Sequence, residues 1–424
     1  MLLANGWYLQ KKENRMTRRN IFICTLIFFV LVLGIAFVSY RFFISDGDDS
    51  AIETSMPTDT PTNNHGEEPE ETDPEPEITD DPPTYYAPYE LEYEGDTSSP
   101  WHPIHFVDIR TPQPLYPGVP HGHISLRHIR YLNDYFYSRF PFSYQEKRAA
   151  AWIIEELLAM GYTWDNINIQ EFDLISLEVP IEHFMMRSGQ AFYHNYDYLR
   201  DTYQSQNVIL TVPGQSGQVI VVGAHYDTVL YPGASDNASG TALLLESAQR
   251  MLDVDNYYTI VYIFFGAEEV GLFGAEYYVM NLTEEEIDNI LFMVNADVLF
   301  EGSYFIFGGG YANRWSGTRT PGSNDITRRW EEIADELNLD DDFNIISKPD
   351  GIFLSSDQLV FMDAGLTVMM LYGTDFHPNG MYNFRVFHSY RDCYHYINNR
   401  WPYKIRDAMR TFNIFLERVL LAQY

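Results

Sequence analysis

The sequence predicts a three-layer α/β/α domain with a mostly parallel, mixed central sheet over residues 101–424, preceded by a transmembrane helix and a disordered linker. Short apolar, β-branched runs alternate here with segments whose apolar residues recur at helical spacing. Several of the short runs are apolar at every position, which is typical of strands in a sheet that helices cover on both faces. Upstream lie one long apolar run and one acidic, proline-rich run.

The helices and strands of the domain follow from these patterns in chain order. The helix over 144–162 has apolar residues at helical spacing and ends at Gly161, a residue typical of helix C-termini. Further helices are predicted over 238–252, 271–280, 325–337 and 404–421, and strands over 207–212, 218–223, 258–265, 291–296 and 366–371. Residues 301–355 match no motif, and we interpret them as a lid or one wall of a specificity pocket.

The first hundred residues divide into three segments. Residues 1–20 are basic and form a predicted cytoplasmic tail, and residues 21–43 begin with an uncharged apolar run long enough to span a bilayer as a signal-anchor helix. A cleaved signal peptide is the alternative, although its apolar core is usually only about 7–15 residues long. Because the basic cluster comes first, we expect a single-pass protein of the cell membrane whose domain is extracellular. Residues 44–100 are acidic and contain no Lys or Arg, a composition typical of a disordered linker.

Composition excludes several classes of function. The formal net charge is −33, from 27 Lys and Arg against 60 Asp and Glu, so the chain repels phosphate backbones and nucleic acid is not an expected partner. The two cysteines are too few for a disulfide scaffold or a cysteine-rich metal site. We expect Cys393 to be a free, buried thiol.

Acids and histidines cluster after several predicted strands, where α/β folds place their ligands. On extended backbone His225 and Asp227 share a face, so Asp227 can accept a proton from the imidazole and orient it towards a metal. The alternative is that His225 and Asp227 only hydrogen-bond to each other and bind no metal. Asp236 lies in a glycine-rich turn and could either ligate a metal or cap the following helix. Glu268 and Glu269 follow a very apolar strand, where adjacent carboxylates are costly unless a cation neutralises them; the alternative is a solvated acidic turn.

Two further clusters complete the set, around Asp297 and around His388. Together the clusters offer five nitrogen and oxygen ligands and no thiolate, which suits catalytic zinc: His225, Asp236, Glu269, Asp297 and His388. If one carboxylate bridges, each of two zinc ions receives three protein ligands, and Glu268 is left over as a base.

The segments GAHYD, PGASDNASG, FFGAEEVGLFGAEYYV, NAD and HSYRD resemble the M28 family of zinc aminopeptidases, over roughly Ser125 to Ala422. The resemblance implies that His225 and Asp297 bind one zinc ion, that Glu269 and His388 bind the other, and that Asp236 bridges the two. It also implies that Glu268 is the general base and acid, that Asp227 supports His225, that Asp392 orients the loop of His388, and that a cis peptide follows Asp236.

The implied function is hydrolysis of N-terminal residues from extracellular peptides with a free N-terminus, by a water that two metals activate. The alternatives are a glutaminyl-cyclase-like acyltransferase of the same fold, and an inactive ectodomain that serves in binding or adhesion. Two positions depart from the family: Phe387 stands where some members have Tyr, and Gln358 replaces the His of an S-D-H pattern. His377 and His395 are rival ligands to His388.

Overall fold

The computed structural model describes residues 119–173, 204–312, 319–321, 324–339, 345–347, 355–376, 382–383 and 386–424. The predicted tail, signal-anchor and acidic linker lie outside the described residues, and so does the rival ligand His377. Among the helices of the described ranges, none has both the length and the apolar character needed to span a bilayer.

The described helices and strands alternate through most of the domain. The helices are α1 His123–Tyr135, α2 Tyr144–Met160, α3 Ala238–Met251, α4 Phe273–Met280, α5 Glu284–Asn289, α6 Asp325–Leu339, α7 Gln358–Asp363, α8 Tyr394–Arg400 and α9 Lys404–Leu421. The strands are β1 Ile167–Asp173, β2 Gln204–Val212, β3 Val219–His225, β4 Thr259–Phe265, β5 Ile290–Ala296, β6 Tyr304–Ala312, β7 Arg319–Pro321, β8 Ile345–Ser347, β9 Val368–Phe376 and β10 Tyr382–Asn383.

These strands form one mixed sheet with the order β1-β2-β4-β3-β5-β9-β6-β7, while β8 pairs with β6 and β10 with β9. The four central strands β4, β3, β5 and β9 are parallel. On either side of them, the pairs β1–β2, β2–β4, β9–β6 and β6–β7 are antiparallel. The predicted α/β fold is confirmed, and the parallel part of the sheet is its centre.

Alternate residues along the central strands pack into apolar clusters on the two faces of the sheet. On one face Ile220 and Val222 of β3 pack with helices α1, α2, α3 and α9. On the other face Val221, from the same strand, packs with α4 and α7. Because successive strand residues point to opposite faces, a strand that is apolar at every position requires helices on both sides.

Most predicted elements agree with the structure to within two residues. The last helix begins and ends where the sequence predicts, and α2 ends at Gly161, whose φ of 116° is readily adopted only by glycine. Residues 304–312 form β6 within the sheet, so this part of 301–355 is not a lid, and a role of the segment as a pocket wall stays a prediction. Three consecutive glycines are typical of a loop, but here Gly309 allows β6 to pack closely against α6. A Cβ on Gly309 would lie 2.9 Å from Thr327 Cγ2 on that helix.

A buried carboxylate from α3 caps the first helix of the domain. The amides of Gly122 and Ser125 donate to Glu246 at 2.8 and 2.7 Å, and the guanidinium of Arg250 donates to the same carboxylate at 2.7 Å. The first amides of a helix have no partner within it, so Glu246 satisfies groups that α1 cannot satisfy itself.

Replacing Glu246 with Gln is expected to lower the free energy of unfolding by roughly 3 kcal/mol, because hydrogen bonds to charged groups are worth roughly 1.5–3 kcal/mol each and the amide turns one acceptor into a donor. Denaturant unfolding measures the change. The exposed Glu285 on α5 provides the matched control, since Glu285→Gln should stay within about 0.5 kcal/mol of the wild type. Equal stability of the two variants would contradict the capping role.

Candidate metal centre

The parallel centre of the sheet brings three of the predicted clusters to one edge. Strand β3 ends at His225, β4 leads into the turn of Glu268 and Glu269, and β5 leads into Asp297. These strands are neighbours in the sheet and run in the same direction, so their carboxyl ends lie side by side. Open α/β sheets bind their ligands outside this edge.

The five predicted ligands lie together there. Nε2 of His225 is 3.2 Å from Asp236 Oδ1 and 3.3 Å from Asp297 Oδ1. Nε2 of His388 is 3.0 Å from Glu269 Oε2 and 3.1 Å from Asp236 Oδ2. The two oxygens of Asp236 therefore face two different histidine–carboxylate pairs.

The start of helix α3 positions Asp236. The cap of this helix is Asn237, whose Oδ1 accepts from the amide of Gly240 at 2.8 Å and whose Nδ2 donates to Ala296 O at 2.8 Å. The alternative that Asp236 is the helix cap is therefore wrong. A Cβ on Gly240 would lie 2.2 Å from Ala296 O, so only glycine lets the helix approach β5 this closely. The peptide bond between Asp236 and Asn237 is cis, as the family resemblance implies.

Asp392 also acts on this turn. Its buried carboxylate accepts from the amides of Ser235 and Asp236 at 2.6 and 3.0 Å. Because Asp392 lies four residues after His388, these hydrogen bonds join the loop of His388 to the loop of Asp236. The role of Asp392 in orienting the loop of His388 stays a prediction.

The loop of His388 is held by a residue that the sequence did not indicate. The buried carboxylate of Glu301 lies 3.2 Å (Oε2) and 3.3 Å (Oε1) from the amide of Val386, two residues before His388. Phe387 is half-exposed, and its ring stacks on the imidazole of His388 with centroids 3.7 Å apart. Phenylalanine has no hydroxyl group, so Phe387 cannot donate the hydrogen bond that a tyrosine at this position could donate.

Asp227 supports both its own strand end and the neighbouring turn. Its carboxylate lies 3.5 Å from Nδ1 of His225 and accepts from the amides of Glu268 and Glu269 at 3.1 Å each. The side chains of Glu268 and Glu269 are 10% and 4% exposed, so the alternative of a solvated acidic turn does not hold. Asp227 thus contacts a predicted ligand and the backbone of the predicted base.

The concentration of charge shifts the pKa values of the acids and histidines. Burial raises the pKa of Glu268 well above its ordinary range, and Asp357, Glu269 and Asp297 raise it further. Burial and the nearby Asp236 raise the pKa of Glu269 to about 7. Although burial opposes it, hydrogen bonds to Asp236 and Glu269 raise the pKa of His388 to about 10. A concentration of buried carboxyl groups of this kind favours the binding of a cation.

The donor set fits a divalent cation. Donor atoms of His225, Asp236 and Glu269 all lie within 4.8 Å of one another. Asp236 Oδ2 is buried and makes no well-directed hydrogen bond, although it lies 3.1 Å from His388 Nε2. Imidazole and carboxylate donors without thiolate are the usual set of catalytic zinc sites. The roles of the five residues as ligands stay a prediction.

Other candidates from the sequence have different positions. His395 is exposed and lies 3.0 Å from Asp134 at the surface, so the structure does not bring it to the cluster. Cys393 is buried and free, as predicted. Gln358 is buried, and its Oε1 accepts from the side-chain Nδ2 of Asn295 at 2.8 Å. Asp357 beside it is fully buried, and neither carboxylate oxygen has a hydrogen-bond partner.

Asp357 belongs to the electrostatic environment of the site. Burial raises the pKa of its carboxyl well above the ordinary range, and Asp227 and Asp297 raise it further. The S-D-Q pattern marks its position in the sequence, but no local feature indicates that the side chain is buried near other acids.

Part of the chain is similar in sequence to a known peptidase family and to known aminopeptidases. Residues 207–413 match the model of peptidase family M28. Aminopeptidase YwaD of Bacillus subtilis is 43% identical over 82 residues, which cover 19% of this chain and 18% of that relative. The chain spans between 18% and 26% of the length of the first curated relatives that it matches.

Solved structures share the fold over most of the chain. A zinc aminopeptidase from Bacillus subtilis superposes with a TM-score of 0.54 at 17% identity, covering 72% of this chain and 96% of that one. A glutaminyl cyclase from Bacteroides thetaiotaomicron, bound to N-acetylhistamine, superposes with a TM-score of 0.52 at 18% identity, covering 72% and 98%. The family match spans every residue of the acidic and histidine cluster, from His225 to His388. Through residues 207–413, this chain is similar to peptidase family M28.

Proposed function

We propose that this protein is a zinc-dependent aminopeptidase that removes N-terminal residues from peptides. The observation that carries the proposal is the position of Asp236 between two histidine–carboxylate pairs, with Glu268 beside them and outside both pairs. His225 and Asp297 would hold one zinc ion, His388 and Glu269 the other, and Asp236 would be shared. When bound, zinc supplies Lewis acidity that lowers the pKa of water and polarises a peptide carbonyl.

Glu268 is the proposed general base and acid. Its Oε2 lies 3.9 Å from Nε2 of His225, and burial raises its pKa above the ordinary range, the direction expected for a carboxyl group that acts both as a base and as an acid. The carboxylate takes a proton from water as the water oxygen bonds to the peptide carbonyl carbon. As the C–N bond breaks, the same proton passes to the leaving amine.

Asp227 is the proposed positioning residue for this chemistry. By accepting from the amides of Glu268 and Glu269, it sets the direction in which both side chains leave the turn. Its contact with Nδ1 of His225 leaves Nε2 of that imidazole free to face a metal.

The experiment that tests the function combines metal analysis with a substrate panel. Zinc-loaded full-length protein is offered aminoacyl amides with a free α-amine, the same amides N-acetylated, and a peptide with N-terminal glutamine. We expect bound zinc and hydrolysis of the free amides only. Cyclisation of the glutaminyl peptide without hydrolysis would favour the acyltransferase alternative, and zinc binding without either reaction would favour an inactive ectodomain.

Zinc binding at pH 7 is expected to release protons. The pKa of His388 is raised to about 10, and the pKa of His225 is also raised because Glu268 and Asp297 outweigh its burial. With a pKa of about 10, the imidazole of His388 carries a proton at pH 7 and must lose it to ligate a metal, so zinc affinity should fall as the pH is lowered. Calorimetry in buffers of different ionisation enthalpy counts the released protons. Binding without proton release would contradict this assignment.

We also propose that the domain acts outside the cell, held at the membrane by residues 21–43, which lie outside the described residues. The basic residues before this apolar run support that orientation. Fractionation of expressing cells and protease treatment of intact cells test it: the protein should be found in the membrane fraction and be digested from outside. Recovery from the soluble or culture fraction would contradict the anchor.

A further inference from the structure

We propose that Arg139 and Glu146, which lie in one short segment upstream of the family match, are positioning residues of the metal centre. The inference rests on the proposed function and adds residues that the motifs do not include. Both side chains are ionisable and fully buried, and each contacts the backbone of loops that carry the predicted ligands and base.

Glu146 holds the turn of the predicted base. Its Oε1 accepts from the amide of Ala267 at 3.0 Å and from the hydroxyl of Ser205 at 2.6 Å, and its Oε2 accepts from the amide of Phe142 at 2.6 Å. Ala267, with a φ of 54°, directly precedes Glu268. Because Asp227 accepts from the next two amides, three consecutive amides of this turn are bound by two buried carboxylates.

Arg139 holds the other two loops. Its guanidinium donates to Tyr226 O at 2.6 Å, between His225 and Asp227 in the chain. It also donates to Pro232 O at 2.9 Å and Gly233 O at 3.2 Å, in the turn that leads to Asp236. A planar guanidinium can bind several carbonyls at fixed angles, which a lysine ammonium cannot reproduce.

The cost of burying the guanidinium of Arg139 and the carboxyl group of Glu146 argues for a role at the site. Removing a charge from water is expensive, and well-packed apolar residues would often stabilise the fold equally well. Burial lowers the pKa of Arg139 to about 10, and four nearby acids oppose that shift: Asp227, Asp392, Asp236 and Glu269. The segment therefore couples its own folding to the geometry of the ligand loops.

The test compares Glu146→Gln and Arg139→Lys with Glu246→Gln, a matched control that alters an equally buried carboxylate. Glu246 lies eight residues into α3, about 12 Å beyond its first residue. We expect Glu146→Gln and Arg139→Lys to weaken zinc binding roughly 10–100-fold, measured by competition with a chelator, and to lower kcat more than they raise KM. Amide exchange should increase over 266–272 in the first variant and over 226–236 in the second. Glu246→Gln should lose stability with zinc affinity and these exchange rates unchanged.

Ser205→Ala gives a milder form of the same test, since it removes one hydrogen bond from Glu146 and keeps the carboxylate. It should loosen 266–272 to a smaller extent. The inference is overturned if the Glu146 and Arg139 variants behave like Glu246→Gln, with lower stability but wild-type exchange and zinc affinity. If the wild type binds no zinc and hydrolyses no amide, the proposed function fails, and the exchange rates still decide whether these two residues hold the loops.

Discussion

Replacing Glu268 with Gln is expected to lower kcat by roughly 10²–10⁴-fold, the usual contribution of a general acid–base group, while bound zinc stays at the wild-type level. The side-chain amide of glutamine has nearly the same shape as the carboxylate of glutamate but cannot accept the proton from water. The backbone N–H of residue 268 still donates to Asp227 in this variant, so the turn should keep its conformation.

Steady-state kinetics on a free aminoacyl amide, together with metal analysis of the same sample, measure this effect. The exposed Glu285→Gln variant is the control and should have wild-type kcat. A Glu268→Gln variant that retains both zinc and full activity would rule out Glu268 as the base. A variant that loses zinc would instead make Glu268 a ligand.

Replacing Asp236 with Ala is expected to remove both zinc ions and all measurable activity, because its two oxygens face both histidine–carboxylate pairs. Asp297→Ala is the matched comparison. Asp297 lies 3.3 Å from Nε2 of His225 and belongs to the first pair only, so its loss should spare the ion at His388 and Glu269.

Zinc stoichiometry by elemental analysis separates the two variants. We expect Asp236→Ala to bind less zinc than Asp297→Ala, with both folded as judged by thermal unfolding. Equal zinc content in the two variants would contradict the shared position of Asp236 and would favour a site for a single ion.

Local sequence patterns predict most of the helices and strands of the fold. Helix α9 is amphipathic over its whole length, and α2 ends at a glycine with positive φ, so neither boundary depends on distant residues. The predicted strand over 366–371 begins two residues before β9 and ends five residues before it does. Gly373, Thr374 and Asp375 interrupt the apolar run, and pairing with β6 and β10 extends the strand through them. The sequence does not indicate β6, because its three consecutive glycines are not typical of a strand. The strand is defined by its pairing with β9.

The residue types and order of the cluster, and its position at strand ends, could be read from the amino-acid sequence, because parallel strands bring their carboxyl ends to one edge of a sheet. The tertiary structure alone decided which buried charges support that cluster. Arg139, Glu146 and Glu301 stand in stretches without a chemical motif, and Asp392 acts on a loop more than 150 residues away. Burial of a charge and the identity of its partners depend on segments distant in the chain, so no local pattern encodes them.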